Sequence, residues 1–287
     1  MAHDQRTLDE RLRSAVAAID AGDVRELDRQ LAADPALLRE RLTSPGPWLR
    51  SKIGGALDGF FKAPYLLWFV AEDPVRNGTL PANIADVARA IVQAAAAARV
   101  ESLQEQLDYA LRLVAWSWIA RGAGVQIPLL DVLIDAGAAS AGAPEDALVN
   151  GNVEAASHLV ARGAPLSLAA AACLDRPDDL DRLGPLASAR EKQFALVLAA
   201  LRGKAGALSR IIALGVDVAR PSRDLYAHAT PLHHAVSSGS LDAVRMLVEA
   251  GAPLDRRDTV HDGTPLGWAE YGKLTEIAAY LQSKGAR

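Results

Sequence analysis

At 287 residues, half of them apolar, the chain is long enough for one or two globular domains or one extended array of repeats. A formal net charge of −4 with no concentrated basic stripe argues against non-specific nucleic-acid binding, and a single cysteine, Cys173, rules out an internal disulfide. The longest apolar run, 110–120, is too short to span a bilayer and carries Arg112, and the polar stretch 1–13 lacks a signal-peptide core, so a soluble cytoplasmic protein is expected.

Ala and Leu dominate over aromatic and β-branched residues, which favours helix along the whole chain. Gly22 opens the helical stretch Asp-Val-Arg-Glu-Leu-Asp-Arg-Gln-Leu-Ala-Ala, which Asp34-Pro35 stops. Residues 44–62 hold Ser44-Pro45-Gly46-Pro47, Gly54-Gly55 and Gly59 and read as an irregular loop or insertion. Residues 63–70 then read as a first helix with Pro64 at its start. Asn77-Gly78 makes a turn, and Ile84, Val87, Ala88, Ile91 and Val92 give the apolar stripe of a second helix. Tyr109, Trp116 and Trp118 fall on the next helix. Two tryptophans two positions apart cannot face one core, so one of them is expected at the surface.

From here a glycine interval recurs. Gly124 and Gly137, Gly151 and Gly163, and Gly203 and Gly215 lie twelve or thirteen residues apart, each pair enclosing apolar residues at helical spacing. Residues 166–186 break the rhythm and read as a shortened unit, with short helices at 169–172 and 178–183 around Pro177.

The interval is plainest at the end. Residues 229–250 read Ala-Thr-Pro-Leu-His-His-Ala-Val-Ser-Ser-Gly-Ser-Leu-Asp-Ala-Val-Arg-Met-Leu-Val-Glu-Ala, and Thr-Pro-Leu returns at Thr264, 34 positions after Thr230. Gly251 and Gly285 keep the same period of 34. Each residue has a physical task. Thr230 caps the first helix and Pro231 occupies its first position, where no internal bond is forfeited. Gly239 ends that helix, and Leu241, Val244, Leu247 and Val248 form the stripe of a second one that Gly251 stops. A pair so small cannot bury its own apolar face and must stack on others.

The string Thr230-Pro231-Leu232-His233-x-Ala235 resembles the signature of ankyrin repeats. The segment 72–81 is likewise similar to stretches of bacterial ankyrin-repeat proteins of undefined role. The resemblance implies an all-α solenoid of about seven or eight helix pairs, its middle repeats degenerate, with residues 1–287 forming one domain and 229–286 its best-matching repeats. It implies a non-catalytic scaffold that binds a protein partner through a concave face and loop fingers, as a monomer without cofactor, nucleic acid or membrane. It also implies that His233 ties neighbouring turns together by hydrogen bonding. The positions free to choose a partner are those just before Thr-Pro and those closing the first helix. These are Tyr226, His228, Ser237 and Ser238 in one repeat, and His261, Asp262, Glu270 and Tyr271 in the next.

Chemistry has little to work with. No serine sits in a Gly-x-Ser-x-Gly elbow, Gly54-Gly55 is not followed by the lysine of a phosphate loop, and Cys173 lies in an apolar run. The alternative is a small-molecule or metal-dependent activity. It would rest on the aromatic cluster Trp48, Phe60, Phe61, Tyr65, Trp68 and Phe69, or on His228 and His261 with Asp258 and Asp262 nearby. The histidine spacing matches no zinc pattern, and solvated loop histidines are the simpler reading.

Overall fold

A computed structural model describes residues 7–287; the first six, with His3, lie outside the described residues. Among the described residues all regular structure is helical. The chain divides into two compact units, Met1–Pro165 and Leu166–Arg287.

In the first unit, helices Leu8–Ala21 and Val24–Ala33 form the opening pair. Thr7 starts it with a reciprocal cap, its hydroxyl accepting the Glu10 amide while the Glu10 carboxylate takes the Thr7 amide. Three further pairs follow: Leu66–Ala71 with Ile84–Ala97, Leu103–Trp116 with Gln126–Asp135, and Ala143–Val149 with Val153–Ala161. First helices pack on first helices and second on second, so each pair covers the apolar stripe that its neighbour leaves open.

Three local expectations are corrected. Residues 44–62 are not wholly irregular: Pro47–Ile53 is an α-helix with proline in its first turn, and Gly54–Asp58 continues as a 3-10 helix. The Gly46 amide donates to Asp9 Oδ1 at 2.8 Å and fixes where the helix begins. The element expected at 63–70 is a 3-10 helix, Leu66–Ala71, with Pro64 in the turn ahead of it; all six of its side chains are buried, so it has no solvent face. Trp116 and Trp118 are not on one helix. Ser117 breaks the chain with extended backbone, and its hydroxyl caps a new helix, Trp118–Gly122, by accepting the Ala120 amide at 3.0 Å. The surface expectation holds: Trp118 is 55% exposed.

Four aromatic residues of this unit fill its core, whereas Phe60 is exposed and sets its ring edge-on to Trp116. Phe61, Tyr65, Trp68 and Phe69 are buried, with Trp68 centred between Phe61, Tyr65 and Tyr109 at 4.5–6.1 Å, and Arg41 lies over the Tyr65 and Trp68 rings. They close the space around the 3-10 helix.

The second unit repeats the arrangement with pairs Leu168–Cys173 and Pro177–Leu183, Ala189–Leu201 and Ala205–Ala213, Pro231–Ser237 and Leu241–Glu249, and Pro265–Tyr271 and Thr275–Ser283. Leu232, Ala235 and Ala269 are fully buried and Leu266 nearly so, at the packing of one first helix on the next. The glycine interval has its expected basis. Gly239 and Gly251 sit at φ 74° and 87°, left-handed conformations that release the chain from each helix. Cys173 is buried, as its apolar run predicts.

Candidate functional site

The loop ahead of each first helix in the tail of the second unit is a finger, and two fingers lie side by side. The Thr259 amide donates to the His228 carbonyl at 2.9 Å, and the His228 and His261 rings are 6.4 Å apart at right angles. His233 makes the clasp between them. Its Nε2 lies 3.0 Å from the Gly263 carbonyl, an acceptor only, so the ring proton is on Nε2 and Nδ1 is left to accept from the Thr230 hydroxyl at 2.8 Å and amide at 3.3 Å. One imidazole thus joins the start of its own helix to the following finger. In the last repeat Gly267 replaces the motif histidine. There the Thr264 hydroxyl is a plain cap that accepts the Gly267 amide at 3.1 Å. Thr264→Ala should therefore cost about 1 kcal/mol, read as a lower urea midpoint; an unshifted midpoint would mean the cap contributes nothing.

Asp258 organises the second finger. It is 3% exposed, and its carboxylate accepts the amides of Val260, His261 and Gly263 at 2.7–3.0 Å and the Trp268 indole N–H at 3.0 Å. Burial alone would raise its pKa, but these four donors outweigh that and hold it well below the usual carboxylate range. A carboxylate so engaged is a loop staple, not a spare metal ligand. No group of three or more His, Cys, Asp or Glu among the described residues is placed to hold a metal ion.

Around the staple stands a cluster of rings. Trp268 is 5.0 Å from His233, 6.3 Å from His228 and 6.5 Å from His234, and Tyr226 lies 6.2 Å from His228 and 5.9 Å from His234. His234 is 2% exposed, and its Nε2 has no hydrogen-bond partner. Burial, with the neighbouring His228 and His233, pushes its pKa down to about 4, against the opposing pull of the Tyr226 and Ala229 backbone.

The eight residues expected at the binding surface divide. Tyr226, His228 and His261 join the ring cluster, and Ser237, His261 and Tyr271 line a cavity of about 760 Å3 with Gly267, Trp268 and Leu274. Tyr271 is 93% exposed and Tyr226 44%. Glu270 is exposed beside them. Ser238 instead serves the turn: its hydroxyl donates to the Ala235 carbonyl at 2.6 Å and accepts the Ser240 amide at 3.1 Å. Asp262 is paired with Arg257 at 3.1 Å.

Sequence reasoning overlooked Trp268 and His234, which occupy matching positions 34 apart in the two repeats. It also overlooked Arg202, the residue just before Gly203, as Ser238 is the residue just before Gly239; the rule that selects one selects the other. The half-buried Arg202 guanidinium has no carboxylate partner among the described residues, its Nε is buried without a hydrogen bond, and burial lowers its pKa.

Comparison with known proteins agrees with this geometry. The family described as "Ankyrin repeats (3 copies)" matches residues 146–258 and 196–287. "Ankyrin repeat and SAM domain-containing protein 6" of Mus musculus is 45% identical over 58 residues, and that of Rattus norvegicus 43% identical over 58 residues. Each match covers 20% of this chain but only 7% of the relative, so the likeness concerns repeats and not whole proteins. With stacked helix pairs, left-handed glycines at the helix ends and a threonine–histidine clasp between fingers all in place, the chain is an ankyrin-repeat protein.

Proposed function

We propose that the chain is a non-catalytic scaffold that binds a protein partner through the first-helix face and fingers of the second unit, around Tyr226, His228, Ser237, His261, Glu270 and Tyr271. Ankyrin repeats generally mediate protein–protein interaction, and the family is typically a non-enzymatic scaffold. The observation that carries the finer reading is the exposure of Tyr226 and Tyr271 at the edge of a rigid ring cluster. The fingers are held from within by Asp258 and His233, so these tyrosines are free for a partner and little ordering is lost on binding. Tyrosine beside histidine and carboxylate is the amphipathic mixture in which binding hot spots concentrate. The same reading takes residues 1–287 as a single domain acting as a monomer in the cytoplasm, without nucleic acid. No helix among the described residues is long and apolar enough to cross a membrane.

The test begins with a partner recovered by crosslinking in the native cell. Its affinity for the Tyr226→Ala/Tyr271→Ala variant should fall by about 2 kcal/mol or more, roughly thirtyfold, while the melting temperature stays close to that of the parent. An unchanged affinity would remove the site from these fingers.

A further inference from the structure

The first turns of helix Ala189–Leu201 and the finger after helix Ala205–Ala213 enclose a groove of about 490 Å3. Leu214, Val216 and Pro221 contribute its apolar lining, and the Gln193 amide holds the finger against the helix by donating to the carbonyls of Asp217 and Arg220 at 3.2 and 2.5 Å. Four cations and two carboxylates line it, and the carboxylates are already engaged. Asp224 receives the fork of Arg190 at 2.8 and 2.5 Å, and Asp217 Oδ1 accepts the Ala219 amide at 2.9 Å. Lys192, Arg220 and Arg223 form no ion pair among the described residues, although Arg223 lies near enough to Asp224 to help lower its pKa. The next finger adds Arg256, which reaches across to the Ala219 carbonyl at 3.3 Å and has no ion pair either.

Solvated side chains are the plainest account of any one of these. The distribution speaks against that account for the set. Elsewhere in the second unit Arg176, Arg182, Lys204, Arg210, Arg245 and Arg257 each hold a carboxylate while Arg202, Lys273, Lys284 and Arg287 do not, so four of the eight described cations without an ion pair stand around this one groove. They do so in a chain whose net charge is −4, so the patch runs against the overall sign.

We propose that this groove accepts an acidic segment of the protein partner, its Asp and Glu side chains against Lys192, Arg220, Arg223 and Arg256 and its apolar atoms on Leu214, Val216 and Pro221. This rests on the second unit being a protein-recognition surface and adds the chemistry of what it recognises. Charge complementarity is the reason for choosing a carboxylate-bearing peptide: like charges would be excluded, and an uncharged one would leave four cations facing it unanswered.

The experiment sorts a displayed library of random peptides against the full chain and measures the recovered peptides against three variants. Peptides enriched in Asp and Glu are expected, and they should bind the Lys192→Gln/Arg220→Gln/Arg223→Gln variant about tenfold or more weakly, with circular dichroism and melting temperature unchanged. Their affinity should also fall as salt is raised past physiological strength, where exposed charges are screened within about 8 Å. The proposal is overturned if no acidic enrichment appears, if acidic peptides bind the triple variant equally well, or if they are lost only in Arg202→Gln. Peptides that depend on Tyr226 and Tyr271 but not on the three cations would overturn the groove and leave the recognition surface standing. Acidic peptides lost in the triple variant but kept by Tyr226→Ala/Tyr271→Ala would uphold the groove and move the surface off the tyrosines.

Discussion

Glu72→Ala should destabilise the protein by about 3–5 kcal/mol, the range for removing one partner of a buried ion pair. The Glu72 side chain has no exposed surface and the Arg76 side chain 3%. The carboxylate pairs with Arg76 at 3.0 Å and accepts the amides of Arg76 and Gly78 at 2.9 Å, and that of Asn77 as well. Without it, three amides lose their acceptor and the buried guanidinium keeps Asp20, at 2.5 Å, a long bond to the Phe69 carbonyl at 3.4 Å and the face of the Phe69 ring. Glu72 also sits at φ 49°, where alanine gains nothing from the backbone. Urea denaturation measures the loss. The Glu72→Ala/Arg76→Ala double variant should cost clearly less than the two single variants added together, because each single change already breaks the pair. A loss under about 1 kcal/mol for Glu72→Ala would mean that the 72–78 loop is held by its other contacts. The parent protein's curve also tests the proposal that residues 1–287 are one domain: a single transition is expected, and two separated ones would contradict it.

The second large effect is acid sensitivity in the second unit. His234 has a folded pKa of about 4 against an ordinary value of 6.5, so the folded state resists its protonation. For a histidine depressed in this way the stability is complete above about pH 6.5. It declines as pH falls from 6.5 toward 4 and is level below that, a loss of about 3 kcal/mol over the interval. His233 is shifted down by burial too and adds to the loss in the same direction. Asp258 acts lower on the scale: its depressed carboxylate stabilises the fold above the ordinary aspartate range and gives way only in stronger acid. Unfolding free energies at about pH 7.5 and about pH 4.5 should therefore differ strongly in the parent and much less in His234→Leu. Equal differences in both proteins would show that another group carries the proton.

Local rules reached much of this architecture. The glycine interval succeeds because a helix that must stop after seven or nine residues is released by a left-handed residue, and that demand is legible at Gly239 and Gly251 without knowing what packs on them. The His233 clasp was legible through the resemblance to ankyrin repeats, whose motif histidine ties neighbouring turns together. Helix Pro47–Ile53 was hidden because prolines and glycines crowd around it, although Pro47 is itself a helix-starting residue. The break at Ser117 was hidden because a serine inside an apolar pattern reads equally well as helix interior or as cap. His234, Trp268 and Arg202 have their roles only through neighbours from other repeats, and nothing adjacent in sequence marks one buried imidazole as having an unbonded Nε2 and another as fully bonded.

The finger 258–263 has a consequence for how such a surface can change. Its internal bonds run from the Asp258 carboxylate to the backbone amides of Val260, His261 and Gly263, and from the Asp258 amide to the Gly263 carbonyl. Every residue except proline supplies a backbone amide, so the loop keeps its shape whatever side chains stand at 260 and 261. Val260 and His261 are both exposed. The shape of the fingertip is thereby separated from its chemistry: two anchors carry the first, and the positions between them can be rewritten for a new partner without refolding the loop.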